Sequence, residues 1–253
     1  MNKPLVTVVI PTYNSEKYIK KAIDSALAQD VELEVIVVND ASTDGTLNLL
    51  AEYQKKDNFT LVENKTNLGA AASRNLGVAK AQGEYVAFLD ADDWWVEHKL
   101  SKQLVAMQAN NTVICSTARE LVDSNGISKG QVLGIQQCIT YQMMLWQNWL
   151  NCSAVVVRTD VIKQFPMQHE DSHEDYITWM KILKKYKEAT GVNEALLKYR
   201  VSNVGKSGSK WHSAKMMYRT YRHLDIGPVK AIFYFCAYAI NGIRKYYFNL
   251  GEN

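Results

Sequence analysis

VIVVNDASTDGTLNLLAEYQ, residues 35–54, changes character at Asp40. Val35 to Asn39 is a β-branched run and reads as a strand, whereas the stretch from Ala41 opens on capping residues and reads as a helix. The same alternation extends in both directions. Upstream, LVTVVI (5–10) is a strand, and Tyr18, Ile19, Ala22, Ile23, Ala26 and Leu27 fall at helical spacing. Downstream come a strand at 59–62, a helix in NLGAAASRNLGVAKA (67–81) and a fourth strand, YVAFLD (85–90). Alternating strands and helices predict an α/β fold, a mainly parallel sheet with helices on both faces. In such sheets the ligand lies beyond the carboxyl ends of the strands, where strand order reverses. Asp40 and the cluster Asp90, Asp92 and Asp93 follow strands at that end.

Past Glu97 the pattern loosens. Residues 100–110 continue as a helix, VICST (113–117) is a strand and VDSNG (122–126) a turn. CSAVVVR (152–158) reads as a strand, 176–186 as a helix and ALLKYRV (195–201) as a last strand before a Gly/Ser/Lys loop. With no repeat and no low-complexity linker, the chain divides into one α/β domain, 1–200, and a loop plus helical tail, 201–253.

A content of 47% hydrophobic and 22% charged residues over 253 positions is that of an ordinary soluble globular protein. The apolar run 5–10 is too short for a signal-peptide core, so a retained first strand in a cytoplasmic protein is expected. Cys115, Cys138, Cys152 and Cys236 form no CxxC pair, which argues against zinc ribbon, redox motif or disulfide scaffold and leaves packing. A net charge of +3 hides an asymmetry: from Lys198 onward 10 Lys+Arg face 2 Asp+Glu, while the first 197 residues are net acidic. That tail contains AIFYFCAYAINGI (231–243), uncharged but flanked by Lys230, Arg244 and Lys245. Thirteen residues cannot span a bilayer, which needs about 20. Two readings remain: a basic amphipathic helix on an anionic membrane surface, or a buried core helix.

Three acids within FLDADDWW (88–95) repel one another unless protons or a cation intervene. One of them can cap a helix starting near Val96; three exceed what a cap needs. Carboxylate oxygens suit Mg²⁺ or Mn²⁺, which commonly join one or two carboxylates to substrate phosphates. A basic group should then neutralise those phosphates, and Arg74 is placed for that role or for a surface ion pair. Neither GxGxxG nor GxxxxGK[ST] occurs, so neither a dinucleotide fold nor a P-loop is supported.

In order and spacing, VVIPTYN (8–14), VVNDASTDGT (37–46), NLGAAASRNLG (67–77), GEYVAFLDADD (83–93) and HEDYITW (173–179) resemble the family 2 glycosyltransferases with the GT-A fold. The segment from Lys198 to Arg222 is similar to bacterial members that build teichuronic-acid, capsule or lipopolysaccharide glycans. This resemblance implies a metal-dependent, inverting enzyme with a nucleotide-sugar donor, usually UDP-linked, and a lipid-linked or lipopolysaccharide/capsule glycan acceptor. It implies no nucleic-acid partner. By it, Pro11, Thr12 and Tyr13 border the nucleotide, Asp40 contacts the base or ribose, and Arg74 approaches the diphosphate. Asp90, Ala91 and Asp92 form the DXD element, with Asp92 and Asp90 as metal ligands. Asp175 is the general base, with Glu174 its neighbour, although acids before a helix also suit its N-terminal dipole. Trp94 and Trp95 read as packing. The loop 201–209, with Lys206, either closes over the diphosphate or simply connects. Because the chain lacks QxxRW and the spans of processive synthases, addition of a single sugar is expected, at the inner face of the cell membrane. Donor specificity is expected between Cys115 and Arg158.

Two other functions compete. A non-catalytic sugar-nucleotide or glycan-binding protein would keep the pocket without turnover. HEDSH, with His169, Glu170 and His173, also spells HExxH, the zinc-peptidase motif. That motif needs a helix with an apolar face, and this polar segment follows Pro166.

Overall fold

A computed structural model describes residues 4–169, 171–201 and 210–247. Its first half follows the expected alternation: β1 (Val6–Thr12), α1 (Ile19–Leu27), β2 (Leu33–Asn39), α2 (Thr46–Ala51), β3 (Phe59–Glu63), α3 (Ala70–Lys80) and β4 (Tyr85–Phe88). These four strands pair in parallel in the order β3-β2-β1-β4. Connectivity reverses at β1, with β2 on one side and β4 on the other, so a crevice opens beyond the carboxyl ends of β1 and β4.

The second half comprises β5 (Trp94–Trp95), α4 (Lys99–Asn110), β6 (Ile114–Val122), β7 (Ser128–Leu133), β8 (Cys138–Thr140), α5 (Tyr141–Trp146), β9 (Val156–Arg158), α6 (Thr159–Ile162), α7 (Glu174–Tyr186), β10 (Glu188–Arg200), α8 (Lys210–His223) and α9 (Pro228–Tyr247). The sheet continues β4-β9-β6-β10-β5, with β7 on β6 and β8 on β10. Only β6 and β10 are parallel in this part; the sheet is mixed here.

Besides β6, which runs on to Val122, and β5, β7, β8, α5 and α6, which the sequence reading lacks, three elements depart from it. The last strand begins at Glu188 rather than Ala195, and register shifts around Ala195 let it continue along β6 through Asn193 and Glu194. Cys152–Ala154 is a 3₁₀ turn rather than strand: the Ser153 carbonyl accepts from Trp95 Nε1 (2.7 Å), and Ser153 Oγ accepts from the Asp90 amide (3.2 Å). The helix expected near Val96 starts at Lys99, and its N-cap His98 makes no side-chain cap, so neither Asp92 nor Asp93 caps it.

Apolar residues pack on both faces of the sheet. On one, α1 buries Ile19, Ala22, Ile23 and Ala26, a single helical stripe, together with Leu100 and Met107 of α4. On the other, Val9, Phe88, Trp179, Tyr221 and Ala231 join α3, α7, α8 and α9. Gly77 sets the approach of α3 to β1: a Cβ there would lie 2.4 Å from Val9 Cγ1. Cys115 and Cys152 are buried packing residues as expected, but Cys138 and Cys236 are exposed. No helix among the described residues is long and apolar enough to cross a membrane. Helix α9 buries one face against the core, as the second reading of its segment expects, and exposes the other.

Candidate active site

An open cleft of about 1280 Å³ occupies the crevice. Pro11, Thr12, Tyr13, Asp40, Arg74, Asp90, Ala91 and Asp92 all line it, so the structure gathers eight of the residues singled out from sequence. Tyr13 is 48% exposed at the rim, whereas Thr12 is buried with its Oγ1 unpartnered. The loops after β1 and β2 interlock to form one wall. Asn14 Oδ1 accepts from the Thr43 amide (2.8 Å), Glu16 Oε2 from the Gly45 amide (2.7 Å), and Thr46 Oγ1 from the Ser15 amide (2.8 Å). Asn14 and Ala41 hold positive φ angles of 48° and 59°, local strain that this lacing maintains.

Asp40 sits at the end of β2 and is 4% exposed. Its carboxylate accepts from the amides of Leu68 (2.9 Å) and Gly69 (2.8 Å) and from Asn64 Nδ2 (2.7 Å), which fixes the turn into α3. A carboxylate offers about four acceptor positions, so this packing leaves little capacity for a further donor.

The acids of the cluster separate by orientation. Asp90 and Asp92 face the cleft. Asp93 turns inward, 2% exposed, where Oδ1 accepts from the Arg200 amide (2.8 Å) and Oδ2 is buried without a partner. Burial and then the charges of Asp92 and Asp90 push the Asp93 carboxyl well up, which favours its neutral form. Burial and the Asp90 charge likewise push Asp92 up to about 6. Two oxygen-donor carboxylates on one cleft wall, with one pKa raised by the other, is the chemistry a hard divalent cation relieves.

Arg74, on α3, is 7% exposed and lies between two acids. Its Nη2 donates to Asp90 Oδ1 (2.6 Å) and its Nη1 to Glu174 Oε1 (3.1 Å). One guanidinium thereby ties the end of β4 to the first turn of α7, where Asp175 is the next residue. Asp175 Oδ1 accepts from the Tyr176 amide (2.8 Å), and burial with the adjacent Glu174 charge pushes its pKa up to about 6. Replacing Arg74 with Met should destabilise the fold by about 3 kcal/mol, because it leaves the buried Glu174 carboxylate uncompensated and the half-buried Asp90 without its partner. Arg74→Lys should recover only part of this, since one ammonium lacks the fork that joins both acids. Denaturant unfolding of the two variants measures the difference; equal stability of Arg74→Met and the parent would show that the pair is inconsequential.

Arg200 escaped the sequence reading. Its Nε donates to the Asp92 carbonyl (2.8 Å), its Nη1 to the carbonyls of Ser124 (2.7 Å) and Asp123 (3.0 Å), and its guanidinium lies 4.2 Å over the Tyr18 ring. The DXD backbone is therefore held from the end of β10, more than a hundred residues away, and no local pattern signals such a contact. Trp95 packs as expected. Trp94 is half-buried, with Lys21 Nζ 3.4 Å over its ring. Lys129, from β7, also lines the cleft. Lys206 and the loop around it lie outside the described residues.

The HExxH reading fails on geometry. His169 is in a loop at φ 69° and His173 is the N-cap of α7, so the two histidines do not share a helix. His169 instead stacks on His223 of α8 at 3.8 Å. Glu170 lies outside the described residues.

Residues 7–160 match the family described as Glycosyl transferase family 2. The Bacillus subtilis (strain 168) protein TuaG, named for teichuronic acid biosynthesis, is 36% identical over 246 residues, spanning 96% of this chain and 98% of that protein. The Escherichia coli protein UDP-Glc:alpha-D-GlcNAc-diphosphoundecaprenol beta-1,3-glucosyltransferase WfgD is 31% identical over 254 residues, 98% of each. Among solved structures, Staphylococcus aureus TarS 1–349 in complex with UDP-GlcNAc superimposes with a TM-score of 0.72 at 22% identity, covering 98% of this chain and 76% of that one. That likeness establishes the fold.

Proposed function

The chain belongs to glycosyl transferase family 2 and is a glycosyltransferase with a GT-A-like fold, and from that premise we propose that it moves one sugar, with inversion, from a UDP-hexose or UDP-N-acetylhexosamine to a lipid-linked glycan acceptor. The observation that carries this reading is the Arg74 bridge, which couples the donor-side acid Asp90 to the helix that bears Asp175. Support for the substrates comes from the name of the WfgD relative, which specifies UDP-glucose and a GlcNAc-diphospholipid.

In this mechanism Pro11, Thr12 and Tyr13 border the nucleotide, with the Tyr13 ring free at the rim to stack on the base. The laced loops hold that wall in place before the donor arrives. Asp90 and Asp92 would hold Mg²⁺ or Mn²⁺, which supplies charge for the departing diphosphate. Arg74 positions Asp90 and α7, and Arg200 fixes the backbone of Asp92. Asp175 takes the proton of the acceptor hydroxyl as that oxygen bonds to the anomeric carbon and the carbon–oxygen bond to UDP breaks on the opposite face. At pH 7 a carboxyl titrating near 6 is mostly ionised yet more basic than an ordinary aspartate. Family membership removes the non-catalytic reading, since the relatives are named as transferases.

The test is UDP release by the purified chain with Mn²⁺, a panel of UDP-sugars and a GlcNAc-diphospholipid acceptor, with the product's anomeric configuration read by NMR. Release from UDP-glucose with a β-linked product is expected. Absence of release from every pair, in a protein that still binds UDP, would refute the donor and acceptor assignment.

A further inference from the structure

Helix α9 docks by one face only. Ala231 is buried and Tyr234, Phe235 and Tyr238 pack against the core, while Val229, Ile232, Phe233, Cys236 and Ile240 are exposed. Spacings of three, four and seven put those five residues on one ridge, about 100° wide at 3.6 residues per turn. Trp146, at the end of α5, extends it. The indole is 41% exposed and meets Phe233 and Tyr234 edge-on, with centroids 5.6 and 5.5 Å apart, and its carbonyl accepts from Asn241 Nδ2 (3.1 Å). Continuous apolar ridges of this kind mark contact with a partner or a membrane.

Charge selects the occupant. Lys215, Arg222 and Lys230 are exposed on the same two helices, and Arg244 and Lys245 follow in sequence. Asp225 is the one acid in the stretch 210–247. Basic residues beside an aromatic, aliphatic ridge fit anionic headgroups above acyl chains, and Trp favours that boundary. We propose that α9 and Trp146 seat the chain on the surface of an anionic bilayer, with Ile232 and Phe233 entering the acyl boundary and Lys215, Arg222 and Lys230 toward the headgroups.

The seat is linked through α5 to the helix of the proposed base. The Met144 and Leu145 carbonyls of α5, beside Trp146, accept from the hydroxyls of Tyr176 and Tyr221, and Tyr176 follows Asp175 on α7. Helix α5 thus touches both α9 and α7, the helix that bears Asp175. An acceptor can keep its lipid in the membrane while its sugar reaches the base, a consequence that rests on the transfer reading above.

The experiment is flotation of the purified full chain with phosphatidylcholine vesicles, with and without phosphatidylglycerol, in the absence of donor and acceptor. Co-flotation with the anionic vesicles is expected, reduced by salt and weakened on the order of tenfold to a hundredfold in the variant I232S/F233S. Should that variant lose its thermal transition, V229S/I240S addresses the same ridge with two other exposed residues. Failure to prefer anionic vesicles, or binding undiminished by either pair, overturns the proposal. A dimer by light scattering that I232S/F233S dissolves, without vesicle binding, reassigns the ridge to self-association. Because flotation needs neither sugar donor nor acceptor, vesicle-bound protein that transfers nothing counts against the transfer reading and leaves the membrane seat intact.

Discussion

Asp175→Asn should lower sugar transfer by about 10²–10⁴-fold, the range a positioned general base contributes, while binding of UDP-sugar stays within about twofold of the parent. The asparagine keeps the Oδ1 that accepts from the Tyr176 amide, so the first turn of α7 should survive. What disappears is the capacity to take a proton. The parent's rate should rise with pH through about 6 and then level, because only the ionised carboxylate is a base and burial with the Glu174 charge holds its pKa there. The same shift has the opposite sign for stability. The folded state binds the Asp175 proton more tightly than the unfolded chain, so between the ordinary 3.8 and about 6 its contribution falls as pH rises. Glu174→Gln is the necessary companion: it removes the charge that Arg74 pairs with and should lower stability, which Asp175→Asn should not. Wild-type transfer by Asp175→Asn would eliminate this residue as the base, and loss of UDP binding would show that it acts through structure instead.

Legibility of the chain tracked the range of the interactions involved. The first hundred residues could be read because each strand and helix is declared locally, by β-branched runs and by apolar residues at helical spacing, and because acids at strand ends have a standard destination in an open α/β sheet. The mixed half of the sheet was less visible. β10 carries a polar interruption at Asn193 and Glu194 that only its register shift along β6 accommodates, and Cys152–Ala154 leaves the strand pattern to meet Asp90 and Trp95. Asp93 shows the same limit within the site. Its place beside Asp92 suggests a cap or a residue that orients the site, and its partner is the amide of Arg200, 107 residues on. Arg200 itself reads from sequence as one residue of a strand. A contact of that separation is set by topology, and the topology of β5 against β10 is not written in either segment alone.

Asp92→Ala should abolish the Mn²⁺-dependent part of UDP stabilisation. At a hundred times its dissociation constant a ligand that binds only the folded state raises stability by about 2.7 kcal/mol, readily seen as a shift in thermal midpoint. In the parent, UDP with Mn²⁺ should give that shift and UDP alone much less, because the diphosphate would otherwise face the carboxylates of Asp90 and Asp92 on the same cleft wall. In Asp92→Ala the two conditions should coincide, and transfer should fall with them. Asp93→Asn supplies the contrast. Burial and the acidic neighbours push the Asp93 carboxyl up toward its neutral form, its Oδ1 serves the Arg200 amide, and an amide preserves that acceptor. Its protein should keep the full Mn²⁺ response. If all three acids were alike, the two substitutions would behave alike; if the cluster were only structural, neither would touch the metal dependence and both would lower the unliganded midpoint. Loss of the response in Asp93→Asn with retention in Asp92→Ala would reverse the assignment, placing the cation against the inward acid and breaking the link between side-chain orientation and chemistry on which the proposed mechanism depends.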